Sequence, residues 1–246
     1  DLMNSYAASM GLSNTLFQNS TGLPDGNHFS SAKDLATMTS LLINNFPETY
    51  SLYKEKYYTF NNIRQPNRNR LLWKDNSSDG VKTGHTESAG YCLISSAKRN
   101  DMRLIAVVAG AKSDKERFND TQRLLEYGFR FYSTQEVIKK DNALKDVDVW
   151  GGKKDVVSLG SENNIKLTLP RTTFRNITIS YDFQNNLRAP IQEGQTLGTL
   201  VIKDGEKTLH TENLVALSDV EAKGFFGRLW ASFLLWIRGL FGLGYA

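Results

Sequence analysis

The sequence predicts an α+β multidomain chain: an α/β sandwich, then a small all-β sandwich, then a C-terminal amphipathic helix. Three patterns carry that expectation. Over the first part of the chain, apolar residues recur at helical spacing around a few strand-like runs. After Val137, short runs rich in Val, Ile, Leu and Thr alternate with turn signals. From Gly224 onward, large apolar side chains gather on one face of a helical wheel. The expected domains are 1–135, 136–220 and 221–246.

Met3, Tyr6, Ala7 and Met10 recur at helical spacing, and Gly11 ends that helix. A long loop, Asn19 to His28, leads to Ser30 or Ser31 as an N-cap, with Asp34 in the first turn and Leu35, Met38, Leu41 and Leu42 as the apolar stripe. Pro47 interrupts the pattern, and a short helix is expected from Glu48 to Lys54. Tyr57 to Phe60 is strand-like, with Asn61-Asn62 as a turn. Residues 90–98 and 102–111 read as a buried hairpin with Arg99-Asn100-Asp101 at its tip. The second of these strands is apolar on both faces from Leu104 to Gly110, which predicts a central place in the sheet. Ser113-Asp114-Lys115-Glu116 is a capping-box pattern opening a helix through Leu124, Leu125 and Phe129. The β runs that follow are 147–150, 156–159, 165–169, 177–183, 197–202 and 208–217, with turns at Gly151-Gly152, Gln184-Asn185-Asn186 and Asp204-Gly205.

At 246 residues the chain can bury a substantial core, and a net charge of +4 is too slight to indicate nucleic acid. The single cysteine, Cys92, excludes an intrachain disulfide and is expected as a small core residue. His28, His85 and His210 are scattered, no spacing fits a metal site, and no cofactor is expected. The chain opens at Asp1 inside what reads as a helix, so it is expected to be part of a longer protein whose targeting segment lies upstream.

The chemistry concentrates in Asp79-Gly80-Val81-Lys82-Thr83-Gly84-His85, which follows the turn signal Asn76-Ser77-Ser78. A Lys and a Thr on an extended strand, with a Gly directly after, suit a carboxylate or a peptide backbone. The ammonium supplies charge, the hydroxyl donates, and the missing Cβ lets a ligand lie close. Lys-Thr-Gly alone is ordinary turn sequence, but it is also the third motif of serine β-lactamases and penicillin-binding proteins.

The wider run, through Thr86, Ala89-Gly90-Tyr91 and Leu104 to Ala111, resembles the low-molecular-mass penicillin-binding proteins, the serine-type D-alanyl-D-alanine carboxypeptidases of bacterial cell-wall maturation. Gly22-Leu23, His28 to Ala36, Asn67-Arg68-Asn69 and Leu71-Leu72-Trp73 are similar to the same family. The resemblance covers nearly the whole chain. It implies the C-terminal part of a transpeptidase-like α/β sandwich followed by the family's β domain. It also implies an activity: removal of the terminal D-Ala of peptidoglycan pentapeptide through an acyl-serine intermediate, with β-lactam antibiotics acylating the same serine. The family's two earlier motifs are then expected before Asp1. The alternative is a truncated, non-catalytic relative that docks at the membrane and binds wall peptides or proteins.

On this resemblance Lys82, Thr83 and Gly84 face the substrate carboxylate, His85 lines the cleft, and Arg117 and Arg68 match arginines at the same pocket. Ser30-Lys33, Ser51-Lys54 and Ser95-Lys98 fit Ser-x-x-Lys but stand at the wrong places relative to Lys82; Ser161-Glu162-Asn163 falls in a β-domain turn. The remaining feature is the wheel over 224–246. Phe225, Phe226, Leu229, Trp230, Phe233, Trp236, Ile237 and Leu240 share one face, and Arg228 and Arg238 lie on the other. Two arginines make lying in the interface more favourable than spanning a bilayer. The expected partner there is membrane lipid, on the outer (periplasmic) face of the cytoplasmic membrane, as the resemblance also implies.

Overall fold

The structure, a computed structural model, describes residues 1–183 and 186–224. It divides into two compact units, Asp1–Tyr132 and Ser133–Ala246.

In the first unit, α1 (Leu2–Ser9) closes at Met10 and Gly11, whose φ of +70° is the left-handed turn a glycine tolerates. Ser31 is the cap of α2 (Ala32–Asn45): its Oγ accepts from the Asp34 N–H at 3.1 Å. The Asp34 carboxylate in turn accepts from the Asn14 N–H at 2.8 Å and the Thr15 hydroxyl at 2.7 Å, tying the preceding loop to the helix start. Pro47 opens α3 (Pro47–Ser51), where its missing N–H is not needed. A 3-10 turn, Leu52–Lys54, continues it. The hairpin β1 (Tyr57–Phe60) and β2 (Ile63–Pro66) turns through Asn61 and Asn62, both with positive φ. Next come the single turn α4 (Leu71–Lys74), then β3 (Ser78–Thr86), β4 (Gly90–Arg99) and β5 (Met102–Ala111), and finally α5 (Asp114–Phe131).

Among the described residues the sheet order is β3-β4-β5, so β4 is central and β5 stands at one end. This corrects the expectation for β5. Its two apolar faces have another cause: α2 and α5 both pack against it. Met102, Leu104 and Ala106 point to α5, joining Leu93, Phe118, Leu125 and Phe129 in one core. Arg103, on the opposite face, points to Tyr50 of α3. Gly128 permits the close approach of α5, since a Cβ there would lie 2.5 Å from Leu104 Cδ1. α5 runs through Leu124, Leu125 and Phe129 as expected, with Leu124 on its exposed side. Cys92 is half-buried and not part of the core, another correction: it lies on the β4 face away from Leu93.

The described residues of the second unit are built mainly of strands. Its six-stranded sheet runs β10-β12-β13-β8-β7-β11, where β7 is Lys145–Trp150, β8 Val156–Ser161, β10 Ile177–Phe183, β11 Leu187–Arg188, β12 Thr196–Asp204 and β13 Lys207–Ala216. A two-stranded sheet, β6 (Tyr132–Ile138) with β9 (Ile165–Pro170), closes the sandwich. The core is written with period two: Val147 and Val149, Val157 and Leu159, Leu200 and Ile202 point inward, meeting Ile138 and Ile165. The short β11 and the first strand, β6, had no clear run in the sequence. The expected C-terminal helix, with Phe225, Phe226, Leu229, Trp230, Phe233, Trp236, Ile237 and Leu240, lies outside the described residues. Among the described residues no helix is long and apolar enough to cross a membrane.

Candidate substrate-recognition strand

The motif from Asp79 to His85 lies wholly within β3, and β3 is an edge strand whose ladder partner among the described residues is β4. Lys82 is paired with Ile94 and Gly84 with Cys92, which puts both on one face; Thr83, paired with Leu93, is on the other. Lys82 is exposed, and its Nζ folds back to donate to the Thr83 carbonyl at 2.5 Å. Thr83 is 8% exposed. Ammonium and hydroxyl thus belong to opposite faces of the strand and not to one patch.

Gly84 is exposed, and its φ is not in the left-handed region. A Cβ added there would meet Cys92 Cβ at 3.8 Å, an ordinary contact. Among the described residues nothing requires glycine at this position. Gly80 differs, because a Cβ there would lie 2.7 Å from the Tyr50 hydroxyl oxygen. Gly90 and Gly110, both at positive φ, form the irregular end of the β4–β5 ladder, where the register slips between Tyr91 and Leu93.

His85 and Tyr91 are direct partners in the β3–β4 register and stand side by side, with ring centroids 4.0 Å apart. Tyr91 in turn lies over the Arg117 guanidinium, 5.3 Å from carbon to centroid. Arg117 is placed by the start of α5. Ser113 Oγ accepts from the Glu116 N–H at 3.1 Å, and Glu116 Oε2 accepts from the Lys112 N–H at 2.7 Å, a capping box reaching one residue further back than the usual form. The first turn then directs Arg117 under the strands. It is 6% exposed, and Nη1 donates to the Gly84 carbonyl at 2.9 Å and the Cys92 carbonyl at 3.2 Å. Its Nη2 meets Asp114, which also pairs with Arg70 at 3.0 Å.

Arg68 is exposed in the loop before α4, while its two neighbours hold that loop. Asn67 Nδ2 donates to the Glu55 carbonyl at 3.0 Å, and Asn69 Nδ2 to the Gly80 carbonyl at 2.7 Å. The Ser-x-x-Lys matches serve the fold. Ser95 is fully buried and donates to the Gly80 carbonyl at 2.9 Å. Ser51 donates to the Glu48 carbonyl at 2.6 Å, and Ser30 shares a hydrogen bond with Thr15 at 2.8 Å. Ser161 is also buried, bonded to the Asn163 carbonyl at 2.8 Å. His28 Nδ1 accepts from the Gln18 N–H at 3.2 Å, and His210 meets Glu212 at 3.1 Å. Among the described residues no group of His, Cys, Asp and Glu could hold a metal ion.

Comparison with known proteins sets this strand in context. A family model described as D-alanyl-D-alanine carboxypeptidase matches residues 1–113, and the model of the penicillin-binding protein 5 C-terminal domain matches 132–222. The crystal structure of the D-alanyl-D-alanine carboxypeptidase DacD from Francisella tularensis superposes with a TM-score of 0.62 at 31% identity, over 91% of this chain and 68% of that one. The chain belongs to the D-alanyl-D-alanine carboxypeptidase family. Within that family it is 45% identical to DacC of Escherichia coli, over 98% of this chain and 61% of that protein. Penicillin-binding protein 5 from Haemophilus influenzae superposes with a TM-score of 0.75 at 38% identity, over 89% of this chain and 65% of that one. This carboxypeptidase-family chain therefore spans about three-fifths of the length of DacC.

Several residues at the family strand had no site role assigned from the sequence: Tyr91, Asp114, Asn69, and the trio Tyr50, Asp79 and Arg103. Asp79, Asn69, Tyr91 and Asp114 all belong to sequence motifs, but nothing in their spacing identifies their partners.

Proposed function

We propose that this chain carries the carboxylate-recognition part of a serine-type D-alanyl-D-alanine carboxypeptidase, which trims the terminal D-alanine of peptidoglycan pentapeptide. One observation carries the reading most directly. Gly84 sits exposed on an edge strand, two residues from an exposed lysine, and the fold itself makes no demand for its missing side chain. A ligand backbone laid along β3 does make that demand.

In this reading the Lys82 ammonium exchanges its contact with the Thr83 carbonyl for the ligand's terminal carboxylate, a charge-assisted bond stronger than a neutral one. Thr83, on the other face of β3, is given no direct ligand contact. His85, stacked on Tyr91, lines the end of the strand. Arg117 adds positive potential through the strand while its fork fastens Gly84 and Cys92, and Arg68 adds a second, exposed charge. β-Lactams, which carry a carboxylate of the same kind, are the second ligand class. The acylated serine and its base are not assigned to residues of this chain. Residues 225–246 are read as a peripheral membrane contact, on the outer face of the cytoplasmic membrane.

The test is binding of an N-acetylated peptide ending in D-Ala-D-Ala, compared with its C-terminal amide. The free acid should bind the 246-residue chain more tightly, and Lys82→Ala should abolish the difference. Equal affinity for acid and amide in the unaltered chain would sink the reading.

A further inference from the structure

Asp79 stands three residues before Lys82, and its carboxylate is gripped from two elements. Arg103 of β5 holds it with both terminal nitrogens, Nη1 to Oδ1 at 2.9 Å and Nη2 to Oδ2 at 2.8 Å. Tyr50 of α3 donates its hydroxyl to Oδ1 at 2.7 Å. The same guanidinium donates to Ser96 Oγ of β4 at 2.6 Å and lies 5.6 Å from the centroid of the Tyr50 ring. One network thus joins α3 to β3, β4 and β5.

Its placement matters more than its size. The Tyr50 hydroxyl fills the space that a side chain at Gly80 would occupy. The Gly80 carbonyl is held by Asn69 Nδ2 at 2.7 Å and Ser95 Oγ at 2.9 Å. Burial pushes the Tyr50 phenol above the ordinary tyrosine range. A bidentate guanidinium–carboxylate pair fixes orientation as well as distance. An edge strand with one ladder neighbour is otherwise free to shift on its open side. Downstream, Arg117 fastens the strand again at Gly84. Lys82 lies between the two fixed points.

We propose that Tyr50, Asp79 and Arg103 form a clamp that sets the position of β3 and thereby places Lys82 for carboxylate binding. They are positioning residues, acting through the strand and not on the ligand. The proposal rests on the carboxylate-recognition reading above, and the experiment separates the two.

Asp79→Asn removes the charge at nearly constant volume, and Tyr50→Phe removes only the hydroxyl. In the whole chain, each should lower the preference for the acid form of the D-Ala-D-Ala peptide over its amide by roughly three- to tenfold. In a Lys82→Ala background the same substitutions should change that preference no further, because they act through Lys82. Backbone amide exchange across 80–84 should quicken in both variants, with β12–β13 unchanged as the internal reference. Unchanged exchange across 80–84, or effects that add to that of Lys82→Ala, would overturn the clamp. Should Lys82→Ala leave the acid preference intact, the recognition reading falls instead, and exchange alone decides the clamp. If Asp79→Asn unfolds the first unit, the milder Tyr50→Phe carries the test.

Discussion

Arg117 and Gly84, 33 residues apart in sequence, are joined by a 2.9 Å hydrogen bond from the guanidinium to the glycine carbonyl. The same nitrogen reaches the Cys92 carbonyl across the ladder. One buried side chain of α5 therefore fastens both strands where the Lys-Thr-Gly motif ends.

Arg117→Lys should destabilise the first unit by about 2 kcal/mol, because one ammonium cannot span two carbonyls and Asp114 as a planar fork does. Urea unfolding of the two proteins measures it. A change below about 0.5 kcal/mol, the range of ordinary surface substitutions, would show that the fork is not structural.

Gly84→Ala separates stability from recognition. The added methyl rests at ordinary contact distance from Cys92, so stability should stay within about 0.5 kcal/mol of the parent. Affinity for the D-Ala-D-Ala peptide should fall about tenfold or more, as a methyl intrudes where the ligand backbone lies. A stable variant with unaltered affinity would place the ligand elsewhere.

Asp34 gives an acid-dependent prediction. The bond from the Thr15 hydroxyl, with help from the Asn14 and Ser31 contacts and Lys33, holds its carboxyl below the ordinary value of 3.8 even though burial opposes this. A depressed folded pKa means that its stabilisation is complete above the unfolded value and is lost as pH falls through the folded one. Asp34→Asn should therefore be less stable than the parent at pH 7 and should lose less further stability below about pH 4. Parallel stability curves for the two proteins from pH 7 to pH 3 would contradict the assignment.

For residues 224–246 the expectation comes from the wheel and from the family resemblance. Burying one large apolar side chain is worth roughly 1.5–3 kcal/mol, and Arg228 and Arg238 add attraction to anionic lipid. The whole chain should cosediment with anionic liposomes, and a chain ending at Lys223 should not. Leu229→Glu with Phe233→Glu should release it, while Ser232→Glu should matter little. Undiminished binding by the shortened chain would move the membrane contact elsewhere.

Much of the fold was legible because it is written in local signals. Asn61-Asn62 marked a turn that needs positive φ twice, Ser113 to Glu116 marked a helix start, and the β runs after Val137 fell on observed strands. β6 was missed because Tyr132–Ile138 is mostly polar or half-buried, without a clean alternation. The motif around Lys82 was legible as chemistry, since charge, hydroxyl and glycine in sequence state what they can bind.

What the sequence determined by itself is whatever depends on neighbours within a few residues: caps, turns, strand periodicity and the identity of the Lys-Thr-Gly run. The tertiary structure alone decided that β5 lies at one end of the described sheet and Cys92 outside the core, that Arg117 grips Gly84, and that Tyr50 and Arg103 meet at Asp79. Those partners lie 24 to 33 residues apart. Spacing along a chain encodes hydrogen-bond geometry within one element, whereas the order of strands and the side chains that meet across them follow from how whole faces pack.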